Sequence, residues 1–190
     1  MFENEGSASS NSVTDLLTRD HRRLDSILAD AKRCLAAGDL RAASARFSEF
    51  REGLERHMNA EEEVLFPAFE TLTGASGGDP THVMRSEHAE LRQLMAEVAD
   101  SLAPGGEEGH VTPLAALTAR IYAHNGKEER VLYPASDSVV GDATREELVR
   151  RLQGTSSSSL RACRGSIGSS RRALADRSEP GARRPPEPHE

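Results

Sequence analysis

His57 is followed four residues later by Glu61, and His124 four residues later by Glu128. On a helix that step sets an imidazole and a carboxylate one turn apart on the same face, where both can reach one ion. Two further histidines, His21 and His88, stand ahead of these pairs, each directly after an acid, Asp20 or Glu87. An offset of 67 residues carries the first set onto the second, from Asp20-His21-x-x-Leu24 to Glu87-His88-x-x-Leu91 and from His57 through Pro67 to His124 through Pro134. Imidazole nitrogen with carboxylate oxygen and no thiolate is a donor set for iron, manganese or zinc. A fold that buried four imidazoles and two carboxylates with nothing to neutralise them would lose more than the roughly 5–15 kcal/mol of net stability a domain has.

To meet, the six side chains must lie on the inner seams of helices and at one level. Ser12, with Asp15 three residues on, opens a first helix. Its seam of Leu17, His21, Leu24, Leu28, Ala31 and Leu35 steps alternately by four and three. Gly38 ends that helix and Asp39 caps the next. The second seam is Phe47, Phe50, Leu54, His57, Glu61, Val64 and Ala68, with Pro67 expected to kink or end the helix. After a loop at Gly74 to Gly78, Asp79-Pro80 starts a third helix with Met84, His88, Leu91, Met95, Val98 and Leu102 inward, and Pro104-Gly105-Gly106 ends it. Thr112-Pro113 starts a fourth, with Leu114, Leu117, Ile121, His124, Glu128, Val131 and Ala135 inward and an unexplained Gly126 within it. A short helix is expected over residues 144–153.

Four helices joined by short turns predict an all-α fold, an antiparallel up-down-up-down four-helix bundle with pseudo-twofold duplication. His21 precedes Gly38 by 17 residues and His57 follows it by 19, while His88 and His124 each lie 18 from Gly106, so all four share a level. The simplest partition puts His21 and His57 on one ion and His88 and His124 on the other, with Glu61 and Glu128 bridging. Glu62, Glu63 and Glu129 fall off the seam, as a solvated face or as a layer around the ligands. Asp20 and Glu87 either bond an imidazole or face solvent. Tyr122 and Tyr133 could reach toward the site but are read first as packing residues, Cys34 is read as a small buried one, and His82, His110 and His189 fall outside the site.

The rest of the sequence narrows the function. Residues 1–11 are expected to be a flexible N-terminus, residues 12–153 the bundle and residues 154–190 a disordered tail, since a Ser-, Arg- and Pro-rich stretch buries too little to order itself. The net charge of −7 combines about +3 on that tail with about −10 on the remainder, which argues against nucleic acid as partner. The tail could still dock a protein. No stretch approaches the roughly 18 apolar residues of a membrane span. The first ten residues carry no apolar run, and Cys34 and Cys163 form no disulfide framework, so a cytoplasmic setting is expected.

The order His, His-x-x-x-Glu, His, His-x-x-x-Glu, with the ending Glu62-Glu63-Val64-Leu65-Phe66-Pro67, resembles the hemerythrin-like HHE cation-binding domain over residues 12–153. That resemblance implies two non-haem iron ions, with manganese or zinc ranked below iron. They would be held by His21, His57, Glu61, His88, His124 and Glu128, bridged by the two glutamates and an oxo or hydroxo group. It also implies a small diatomic ligand or peroxide as partner. One position departs: oxygen-carrying members have a further histidine where this chain has Met84, and its repeat mate is Leu17, also apolar. The ligand set is then symmetric, which argues against a pure carrier. Three roles are expected to compete: binding or sensing O2, peroxide or nitric oxide, or handling iron under stress; peroxide disproportionation or another oxidase reaction; and a metal-stabilised module that docks a partner.

Overall fold

The computed structural model describes residues 12–74, 80–103 and 111–154. The N-terminal segment, the tail beyond Gly154, the Gly-rich loop with Asp79, the turn at Pro104 to Gly106, His110, Cys163 and His189 lie outside the described residues. Four long helical arms run up, down, up and down, and among the described residues every element is helical: α1 Val13–Ala36, α2 Leu40–Ala60, α3 Phe66–Thr73, α4 Pro80–Ser101, α5 Val111–Lys127, α6 Tyr133–Asp137 and α7 Asp142–Leu152.

Local signals account for the ends. Ser12 accepts a hydrogen bond from the Asp15 backbone N–H at 3.0 Å, and Asp39 accepts one from Ala42 at 2.9 Å, each satisfying a donor that the first turn leaves orphaned. Gly38 takes a left-handed φ of 76° between them, a conformation that costs a side-chain-bearing residue dearly. Thr112 does not cap α5, because the helix already includes Val111. The terminal helix begins at Asp142, two residues before the expected start.

The second and fourth arms are not continuous α-helices. A π-helical turn, Glu61–Leu65, joins α2 to α3, and another, Glu128–Leu132, joins α5 to α6. Each ends on an i to i−5 bond, from the Phe66 N–H to Glu61 and from the Tyr133 N–H to Glu128. Pro67 and Pro134 follow directly. A proline cannot donate to the carbonyl four residues back and its ring crowds that carbonyl, and a widened turn just upstream relieves both. The helix therefore continues past Pro67 instead of ending there.

One extra residue per π turn rotates everything after it. Val64 and Ala68 are only half-buried, and Val131 (59 %) and Ala135 are exposed, so the four seam positions expected beyond the glutamates are corrected. Leu65, Phe66 and Phe69 face inward in one arm, and Leu132, Tyr133 and Ser136 in the other. Two apolar clusters result. One, with Leu28, Phe47, Phe50, Met95 and Leu117, fills the Gly38 end. The other, with Val13, Leu17, Phe66, Met84, Tyr133 and Leu148, fills the opposite end. The histidines lie between them.

Candidate metal centre

Each histidine comes from a different arm, and all four are at most 2 % exposed. The His21 and His57 Nε2 atoms face each other at 3.0 Å, and those of His88 and His124 at 3.1 Å. Glu61 and Glu128, both fully buried, stand between the pairs. One Glu128 oxygen is 3.4 Å from the His21 Nε2, and the other is 3.0 Å from that of His124 and 3.7 Å from that of His88. Glu61 Oε2 is 3.6 Å from the His57 Nε2 and 3.4 Å from the His88 Nε2. The structure thus brings all six sequence-predicted residues into one buried layer. His21, His57 and Glu128 form one compact donor group, and His88, His124 and Glu128 a second.

The outer ring nitrogens explain why the rings point this way. His21 Nδ1 meets Glu129 at 2.8 Å, His57 Nδ1 meets Asp20 at 3.0 Å, His88 Nδ1 meets Glu62 at 2.7 Å and His124 Nδ1 meets Glu87 at 2.9 Å. An ionised carboxylate only accepts, so each Nδ1 is the donor and each Nε2 is turned inward. The four carboxylates are sequence neighbours of the core residues, pointing off the seam to a histidine on another arm. Asp20 and Glu87 thereby serve imidazoles and not solvent. Glu62 and Glu129 hold imidazoles of the layer, whereas Glu63 is exposed and pairs with Arg151. His82 is exposed.

Tyr133, read from sequence as a packing residue, joins the layer. Its hydroxyl donates to Glu61 Oε1 at 2.7 Å, has Glu128 Oε2 at 3.1 Å, and lies 3.2 Å and 3.3 Å from the His21 and His57 Nε2 atoms. The π turn swings it inward, so counting from His124 in regular helical steps misses it. The available signal was the repeat itself, which sets Tyr133 opposite Phe66, an aromatic before each proline. Tyr122 stays out of the core, being 83 % exposed, and Cys34 is half-buried.

Charge dominates the layer. Burial opposes protonation of His57, but Glu61 and Asp20 outweigh it and hold the imidazole up at about 10. Burial likewise opposes protonation of His88, while Glu128, Glu61 and Glu62 raise it to about 11. His124 is also raised, through Glu128 and Glu87 against its burial. Burial and the nearby Glu128 push Glu61 up, yet His57 and His88 hold it near 2. Glu128 is held well below the usual range by His124, His21 and His88 against its burial. Protons on imidazole thus stand where a cation could stand.

Two observations test whether a metal suits these residues. Glu61 Oε2 and Glu128 Oε1 are buried and make no well-aligned hydrogen bond, their neighbours being imidazole nitrogens at 3.4 Å and 3.0 Å, although such atoms are normally satisfied. Around an ion ligated at roughly 2.1 Å, neighbouring donors stand about 3.0–3.4 Å apart, close to the 3.0 Å and 3.1 Å nitrogen pairs and the 3.4 Å nitrogen–oxygen contact here. The residues fit.

The sequence matches the model of the hemerythrin HHE cation-binding domain over residues 12–136. The chain belongs to that family. A hemerythrin-like domain is a helical, metal-cation-binding unit, and here the matched segment contains all four arms and every residue of the layer. An uncharacterized hemerythrin-like protein of Schizosaccharomyces pombe is 26 % identical over 118 residues, which cover 62 % of this chain and 56 % of that protein. The chain therefore spans little more than half the length of this curated relative. No solved structure matches. Among the described residues no helix is long and apolar enough to cross a membrane.

Proposed function

We propose that the chain is a non-haem di-iron protein of the cytoplasm that binds or senses O2, peroxide or nitric oxide. His21 and His57 would hold one ion and His88 and His124 the other, with Glu61 and Glu128 shared. The observation that carries this reading is the pair of buried His-His-Glu groups meeting at Glu128, with the outer nitrogen of each imidazole tied to its own carboxylate. When bound, the two ions would supply redox chemistry and open positions for a small ligand. The chain's own residues orient the imidazoles, exclude water between two apolar clusters, and provide negative charge to offset the cations. Manganese and zinc fit the same donors and rank below iron.

The test is metal content and visible spectrum after aerobic purification, beside a His57→Ala, His124→Ala double variant. About two irons per chain with near-ultraviolet bands, both lost in the variant, are expected. Zinc, or less than about one metal in a folded protein, would overturn the di-iron reading.

Tyr133 favours a second reading, turnover of peroxide. Burial and the charges of Glu128 and Glu61 raise its phenol well above the ordinary value and keep it protonated. Its O–H, held 2.7 Å from Glu61 inside the buried layer, is placed to donate a hydrogen bond to a reacting oxygen. O2 evolution from peroxide by iron-loaded protein, slowed at least about tenfold in Tyr133→Phe with metal content unchanged, would favour an enzyme. Equal rates would leave binding or sensing as the role.

A further inference from the structure

The two nitrogen pairs share a pattern but not their surroundings, and the repeat shows where they part. Glu62 and Glu129 occupy the same repeat position and hold His88 and His21, respectively. Arg92 grips Glu62, with Nη1 at 2.8 Å from one oxygen and Nη2 at 3.3 Å from the other. The same guanidinium is fixed by Glu55 at 2.9 Å and Asn59 at 3.0 Å. The repeat mate of Arg92 is Asp25, which offers Glu129 like charge in place of a clamp.

The cavities follow the same division. A cavity of about 410 Å³ between α1 and α5 has Glu129 in its wall with Asp25, Lys32, Ile121 and Arg130, and neither cation makes the two-pronged contact with Glu129 that Arg92 makes with Glu62. Its counterpart between α2 and α4, about 400 Å³, has Arg92 in its wall where Glu62 would otherwise stand. The imidazoles differ as well. His88 has the Phe66 ring stacked on it at 5.7 Å. His21 and His57 have the Tyr133 hydroxyl within 3.3 Å, a polar group that can satisfy their nitrogens when no ion does.

From this we infer that the two ion positions differ in lability, and that Arg92, acting through Glu62, sets the difference. The His21–His57 position, one of whose two anchors, Glu129, opens on the α1–α5 cavity, exchanges its ion quickly. The His88–His124 position, whose corresponding anchor Glu62 is locked from behind, retains its ion. The inference rests on the two-ion reading above. Carboxylates behind metal-bound imidazoles change a site's hold on metal by about 10–100-fold when removed, so a clamp on one of them and not on the other is large enough to matter.

The test loads the full chain with cobalt(II), adds excess EDTA, and measures metal remaining per chain over time. Two phases of one ion each are expected, the slow one at least about tenfold slower. Arg92→Ala should speed the slow phase and leave the fast one alone, with Arg92→Lys between it and the parent. Glu129→Gln should speed only the fast phase. Asp25→Arg, which supplies the missing guanidinium, should slow the fast phase and does not depend on how Arg92→Ala folds. Departure of both ions in one phase would overturn the inference. So would equal acceleration of both phases by Arg92→Ala, as from general loosening, or no change in either. Two phases that arise only because losing the first ion alters the second would leave Arg92→Ala and Asp25→Arg without effect. Uptake of a single ion would overturn the two-ion reading beneath it.

Discussion

Phe66 and Tyr133 occupy the same place in the two halves of the bundle, one residue ahead of a proline, and they finish the layer differently. Each crosses over. Phe66, from the first half, stacks on His88 of the second, and Tyr133, from the second half, puts its hydroxyl against His21 and His57 of the first. The carboxylates divide likewise: Asp20 and Glu87 serve a histidine within their own half, and Glu62 and Glu129 serve one in the other. Duplication has reproduced the donors and left the groups around them free to differ. Donors that repeat symmetrically therefore sit in unlike surroundings.

Acidity offers the largest effect that could break the comparison. His57, raised to about 10, and His88, raised to about 11, each hold a proton that an ion must displace, one in each pair. Cobalt binding near pH 7 should then release at least about two protons and strengthen as pH rises. Binding without proton release would contradict the assignment. Without metal the sign is opposite. Stability from the raised His57 and His88 is complete below 6.5 and lost as pH climbs through about 10 and 11. Stability from the lowered Glu61 and Glu62 is complete above 4.5 and lost as pH falls towards about 2. Urea midpoints of the metal-free chain should peak between those limits, and metal should extend the plateau upward.

Glu128 touches both pairs, so Glu128→Ala should erase the distinction between them. It leaves buried imidazolium without its counter-charge, at about 3–5 kcal/mol in the metal-free fold, and should reduce bound metal below one per chain. Urea unfolding and metal analysis check the two parts. Tyr133→Phe gives both halves a phenylalanine and strands Glu61 Oε1, for about 1–3 kcal/mol. The smallest effect concerns Gly126, where an added Cβ would lie 2.8 Å from Arg130 Nη2, the free end of a flexible side chain. Arg130 can swing aside, so Gly126→Ala should stabilise by about 0.5–1 kcal/mol through helix propensity. A loss there would mean that the guanidinium lying over Gly126 is held in place.

The arms, their seams up to Glu61 and Glu128, and the six-residue layer were legible because helical spacing and a 67-residue repeat specify faces and levels together. What lay beyond the glutamates was not. A π turn adds one residue to a count that assumes 3.6 per turn, so Val131 was placed inward and Tyr133 was ranked as packing ahead of reaching the site, although Pro134 marked the spot. The off-seam acids were only half legible. Whether Asp20 or Glu62 meets water or an imidazole depends on the neighbouring helix, and nothing local reports on that.

Asp137 closes the layer from a distance: one of its oxygens accepts from the Val13 N–H at 2.6 Å and the other from the Thr14 hydroxyl at 2.7 Å, across 124 and 123 residues. His21 and His57, by contrast, are 36 residues apart, as are His88 and His124. Chain entropy charges little for the short closures and more for the long one, and contacts so remote in sequence form late. Each hairpin can thus bring its two imidazoles together by itself, while the carboxylates exchanged between halves arrive only when the ring of helices shuts. The clasp at Asp137 is where the first and last arms of the bundle become neighbours, and a chain opened at the Gly38 turn and rejoined there would keep the same layer in a new order of assembly.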